Sequence, residues 1–134
     1  MSFEDLSIGM SCQIVKSFSQ DDVKAFADLS MDNNPIHLDK EFANNSIFKQ
    51  NIVHGFLVGS LFSAIIGTKM PGEGSIYLSQ NMVFRKPVYW NQLVRAVVKV
   101  EVLYPEKQRV LLSTNCYDSD NNVLIEGTAL VKVV

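Results

Sequence analysis

His54-Gly55-Phe56-Leu57-Val58-Gly59-Ser60-Leu61-Phe62-Ser63-Ala64-Ile65-Ile66-Gly67-Thr68 is the stretch whose reading decides the fold. It is apolar nearly all the way round, and a helix of that kind is buried rather than amphipathic. Small residues recur at every fourth position: Gly55, Gly59, Ser63 and Gly67. Each glycine weakens a helix by about 1 kcal/mol relative to alanine. Something must therefore come close to that face, either a sheet or a ligand. The apolar run also falls short of the roughly 20 residues that a membrane span needs.

Downstream, Pro71-Gly72-Glu73-Gly74 ends the helical pattern and the period changes to two. Ile76, Leu78, Gln80, Met82 and Phe84 read as one face of a strand ending at Pro87. Val94, Ala96, Val98, Val100 and Val102 alternate with charged residues, and Val110, Leu112, Thr114 and Cys116 follow. Ser119-Asp120-Asn121-Asn122 predicts a hairpin turn before a last strand carrying Ile125, Ala129, Val131 and Val133. Upstream, Met10 to Phe18 reads as a first strand. Ser19 with Asp22 three residues on predicts a capped helix ending near Ser30 or Met31. Asp39 predicts the cap of a second short helix, Lys40 to Asn44. Strands joined by short turns pair antiparallel. The expected fold is α+β, an antiparallel sheet around one buried central helix. One helix cannot cover both faces and edges of such a sheet, so a homodimer is expected.

Composition narrows the function classes. A chain of 134 residues with 47% apolar residues suits one domain, 1–134, with a genuine core. Net charge is −2 and the basic residues are scattered, which leaves no electrostatic footprint for nucleic acid. Cys12 and Cys116 match neither a metal-ligand spacing nor a disulfide framework. Met1 to Gly9 carries acids and no apolar run, unlike a secretory signal. The expectation is a soluble cytoplasmic protein that does not enter a membrane.

The chemistry concentrates in Asp32-Asn33-Asn34-Pro35-Ile36-His37-Leu38-Asp39. This stretch reads as a non-helical turn, because Asp, Asn and Pro favour turns and Pro35 disfavours helical geometry at Asn34. It brings a carboxylate and an imidazole close together. A carboxylate and an imidazole can share proton transfers if both reach one water or substrate atom. The second of the two histidines, His54, reads as a cap or hydrogen-bond partner at the helix start. Asp32, His37 and Asp39 offer no third strong nitrogen or sulfur ligand, so no metal site is expected.

Asp32-x-Asn34-Pro35-x-His37-x-Asp39, followed by Phe48-x3-Ile52-Val53-His54-Gly55, resembles the MaoC-like (R)-specific enoyl-CoA hydratases. The likeness is to the short single-domain hydratases that supply polyhydroxyalkanoate synthesis. It extends from about Leu6 to the C-terminus and includes Ser60-Leu61-Phe62-Ser63 and Pro71-Gly72-x-Gly74-Ser75-Ile76-Tyr77-Leu78. Asn91-Gln92 departs from the Gly-Asp turn of many relatives. The resemblance implies the hotdog fold and reversible addition of water to a trans-2-enoyl-CoA, giving the (R)-3-hydroxyacyl-CoA. It implies an acyl-CoA substrate with no separate cofactor, since coenzyme A is part of the substrate. Asp32 and His37 then flank the catalytic water. Gly55 lends its backbone N–H to the thioester oxygen at the positive end of the helix. Asn34 orients the catalytic groups and Ser63 lies near the acyl group. Phe62, Ile66 and Val131 are expected to wall an acyl pocket that favours short to medium chains. Arg85 and Lys86 stand where CoA phosphates would meet them, or form a solvated strand end. The rival readings are a hotdog acyl-CoA thioesterase and a non-catalytic acyl-CoA-binding module. Helix 54–68 lacks the acidic residue that such thioesterases commonly carry there.

Overall fold

Alternating small β-branched residues make strand β4, Val94–Tyr104, the spine of the sheet. In the computed structural model, which describes residues 1–134, Val94, Ala96, Val98 and Val100 are buried while Lys99 and Glu101 face solvent. β5 (Arg109–Tyr117) pairs with β4, and β6 (Val123–Val133) pairs with β5. β1 (Ser11–Lys16) flanks β4, and β2 (Ser75–Gln80) flanks β6. The order is β1-β4-β5-β6-β2, with the two-residue β3 (Val83–Phe84) also on β6. Every pairing is antiparallel.

The helices are α1 (Gln20–Ser30), α2 (Pro35–Leu38), α3 (Lys40–Asn44) and α4 (Gly55–Thr68). The predicted caps form. Ser19 and Asp22 make a reciprocal box at α1, with bonds of 2.9 and 3.1 Å. The Asp39 side chain accepts from Phe42 N–H at 3.1 Å at α3. α4 packs against β4 and β1. Val58, Leu61, Phe62, Ile65 and Ile66 of α4 join the inward residues of β4, β5 and β6 in one core. Each such side chain contributes roughly 1.5–3 kcal/mol through burial. The architecture is the α+β one expected, a sheet wrapped around a central helix. No helix is long and apolar enough to cross a membrane.

Three expectations are corrected here. The strand drawn from Ile76 to Phe84 is broken, with a register shift between Tyr77 and Ser79 and a gap before β3. Unbroken alternation cannot survive that shift, and Ile76, Leu78, Val83 and Phe84 are exposed. α4 is not buried all round either. Phe56, Ser60, Ser63, Ala64 and Gly67 are exposed, so one stripe lacks a partner within the chain. Finally, Pro35 to Leu38 is helical. Proline is disfavoured inside a helix but favoured at its first position, where its missing N–H is not needed. Asn34 caps that single turn by accepting from Ile36 N–H at 3.2 Å.

Both cysteines are free. Cys116 is wholly buried on β5, and burial pushes its thiol up to about 12, which makes it a packing residue.

Candidate active site

The site is built on the single turn of α2 and the N-terminus of α4. The capped turn at Asn34-Pro35 rotates His37 inward, where it is buried. His37 Nδ1–H donates to the Ile52 carbonyl at 2.8 Å. That bond leaves Nε2 as the nitrogen free to exchange protons. Asp32 lies three residues before α2 and stays exposed. Its Oδ1 accepts from Asn34 N–H at 3.2 Å. Asn34 thus acts on Asp32 through its backbone, while its side chain caps α2.

Both residues border one cavity of about 440 Å³. Its apolar wall includes Phe48, Ile52, Phe84 and Val88, with the buried Val58 and Ile125 behind. Arg85 and Lys86 also border it. Arg85 is held by Glu126 in an ion pair, with Nε at 2.8 Å from the carboxylate.

Gly55, the first residue of α4, borders the same cavity. Its N–H makes no hydrogen bond within the chain, as befits a helix N-terminus. The space its missing side chain leaves is filled. A Cβ there would stand 2.5 Å from Cε1 of the Phe84 ring. Gly59 similarly admits the Met82 sulfur, at 2.6 Å from a Cβ position, while Gly67 has nothing within 4 Å. The small-residue stripe is thus covered in its first half by side chains after β2 and open in its second.

The expected acyl-pocket residues lie elsewhere. Phe62, Ile66 and Val131 are at most 1% exposed, sit in the core, and do not border the cavity. Alternation and helical spacing identify inward-facing residues but cannot separate a cavity wall from the packed interior. Ser63 is on the exposed stripe of α4, away from the cavity.

One contributor, Asn51, escaped the sequence reading, and a second, His54, was expected at the helix start but not stacked on His37. Asn51 is buried, and its Nδ2 donates to the carbonyls of Ile36 at 3.0 Å and Asp39 at 3.1 Å. It ties α2 to the chain ahead of α4. Nothing in the sequence marks it, because a polar residue in a loop is usually solvated. His54 is buried and stacks on His37, with ring centroids 3.8 Å apart and planes 26° from parallel. Its Nε2–H donates to the Asp32 carbonyl at 3.0 Å, and it makes no side-chain cap on α4.

Asp32, His37 and His54 each place one potential metal ligand within 4.8 Å of the others. His54, not Asp39, is the third member of that group. Two of the four ring nitrogens, His37 Nδ1 and His54 Nε2, are engaged by backbone carbonyls, which leaves His37 Nε2 and His54 Nδ1 without a protein partner.

Burial is the main cause that holds the His37 pKa below its ordinary 6.5. The Ile52 carbonyl opposes the shift, His54 adds to it, and Asp32 opposes it. Folding therefore disfavours the protonated ring. The contribution of neutral His37 to stability is complete above the unfolded value of 6.5 and is lost as pH falls through the lower folded value. Thermal melts between about pH 7 and about pH 5 are expected to fall more steeply for the wild type than for His37→Gln. Parallel curves would show that His37 is not buried as a neutral ring.

The MaoC-like domain family matches residues 7–118. An (R)-specific enoyl-CoA hydratase of Rhodospirillum rubrum is 42% identical over 131 residues, covering 98% of this chain and 90% of that protein. An (R)-specific enoyl-CoA hydratase of Aeromonas caviae is 41% identical over 133 residues, covering 99% of each. The solved structure of an (R)-hydratase from A. caviae involved in PHA biosynthesis matches with a TM-score of 0.95 at 40% identity, covering 98% of this chain and 99% of that one. With the family matched over most of the chain and these relatives along nearly all of it, the chain belongs to the MaoC-like domain family.

Proposed function

We propose that this protein adds water reversibly across the double bond of a trans-2-enoyl-CoA, giving the (R)-3-hydroxyacyl-CoA. The observation that carries this reading is the meeting of Asp32, His37 and Gly55 at one apolar-walled cavity. A water between the Asp32 carboxylate and His37 Nε2 attacks the β-carbon. It loses one proton to this pair, and the α-carbon gains one. Charge developing on the thioester oxygen meets the Gly55 N–H at the positive end of α4, a type of contact typically contributing about 3–4 kcal/mol. Neither step needs a metal or a redox cofactor. Lys86 at the cavity, with Arg85 beside it, suits the phosphates of coenzyme A. The buried Val58 and Ile125 behind the cavity suit a short to medium acyl chain. Two free cysteines suit the reducing cytoplasm.

The test is the loss of enoyl-thioester ultraviolet absorbance with crotonyl-CoA and longer homologues, followed by chiral analysis of the product. The expected result is hydration to the (R) product, unaffected by chelation. An (S) product, a requirement for added metal, or release of free thiol would overturn the reading.

Residues 1–134 act in this reading as one domain that works as a homodimer. Supporting this are the open β2 edge and the exposed Phe56, Ile76, Leu78, Val83 and Phe84 beside the bare stripe of α4. A second copy pairing along that edge would satisfy its unpaired strand groups and cover the apolar side chains. Light scattering over a concentration series is expected to give the dimer mass. A concentration-independent monomer with full activity would exclude it.

A further inference from the structure

His54 touches both residues assigned to proton transfer, and of its expected roles at the helix start only that of hydrogen-bond partner is met. It does not cap α4, since its side chain makes no bond to the helix N-terminus. It is not plain packing either. Its Nδ1 is buried with no hydrogen-bond partner. An apolar ring in the same place would avoid that unsatisfied acceptor, whose burial is unfavourable. An imidazole here needs a reason, and its contacts supply one. The Nε2–H holds the Asp32 carbonyl at 3.0 Å, and the ring face lies 3.8 Å from that of His37. Phe26 of α1 packs on the same ring, 4.8 Å between centroids and tilted by 59°, which restrains it in turn.

We infer that His54 is a positioning residue that sets Asp32 and His37 relative to one another, tethering the backbone of the first and carrying the ring of the second. This rests on the hydration reading above. Asp32 lies on an exposed loop, and its carboxylate is fixed locally only by Asn34 N–H. His37 is fixed at its outer nitrogen by the Ile52 carbonyl. These holds belong to separate segments, and His54 is the side chain that joins them. The geometry matters because both groups must reach one water, and a displacement of about 1 Å can lower a rate 100-fold.

Three substitutions separate the two holds. His54→Gln keeps a donor near the Asp32 carbonyl and loses the ring. His54→Phe keeps the ring and loses the donor. His54→Ala loses both. The expected result is a fall in kcat of about 100-fold for alanine with little change in KM, and smaller falls for glutamine and phenylalanine. A role confined to stability would lower the melting temperature without this split or this graded rescue. A second readout does not depend on activity. The His37 Nδ1–H proton, bonded to Ile52, should give a slowly exchanging magnetic-resonance signal in the wild type that is lost in folded His54→Ala. If alanine does not fold, the other two variants carry both measurements.

Normal kcat in the folded variants, with the His37 signal retained, would overturn the proposal. Absence of hydration by the wild type would instead overturn the hydration reading. The His37 signal would then decide the positioning role by itself, and its retention would refute it.

Discussion

Asp32→Asn and His37→Gln are each expected to lower turnover by at least about 100-fold, the lower range for lost acid–base catalysis. Asparagine keeps the size of Asp32 and can still accept from Asn34 N–H, but it cannot take a proton. Glutamine at 37 can donate toward the Ile52 carbonyl but has no titrating nitrogen. The two variants differ in stability. Asp32 is exposed, so its loss should leave the melting temperature near that of the wild type. His37 is buried and stacked on His54, so its replacement should cost about 1–3 kcal/mol as polar groups are left imperfectly paired. Steady-state kinetics on both, with thermal melts of the same samples, make the check. Near-normal turnover in either folded variant would remove that residue from the mechanism.

Ile66→Ala is expected to destabilise the protein by about 2–5 kcal/mol and to leave the preference among acyl chains unchanged. The size follows from its surroundings. Ile66 is 1% exposed, lies in the core between α4 and the sheet, and has no contact with the cavity. Truncation removes buried methyl groups and leaves a void that the β4–β5–β6 sheet can close only in part. That void lies in the packed core, apart from the cavity proposed to take the substrate. Denaturant unfolding gives the stability loss, and kcat/KM for crotonyl-CoA against longer enoyl-CoAs gives the specificity. A gain for the longer substrates would place Ile66 on the acyl path.

The sequence by itself determined most of the elements and the pair proposed for catalysis, but not the helical turn at Pro35–Leu38 or the break between β2 and β3. Period-two runs through Val94–Val102 and Val110–Cys116 define strands because one sheet face is buried. Ser19 and Asp39 mark helix starts because their side chains replace missing backbone partners. Asp32 and His37 were legible because they are close in sequence, so a single turn suffices to bring them to one cavity. Only the tertiary structure decided the rest, because the remaining distinctions depend on what a residue faces across the fold. Ile66 and Val58 are both apolar, buried members of α4, yet one lies in the interior and the other behind the cavity. Glycines at 55, 59 and 67 follow one spacing, but Phe84, Met82 and open space stand opposite them in turn. His54 lies 17 residues from His37 in the chain, and only the return of the chain to α4 stacks their rings. Local pattern records which side of a helix or strand a residue occupies, and long-range packing alone supplies what meets it there.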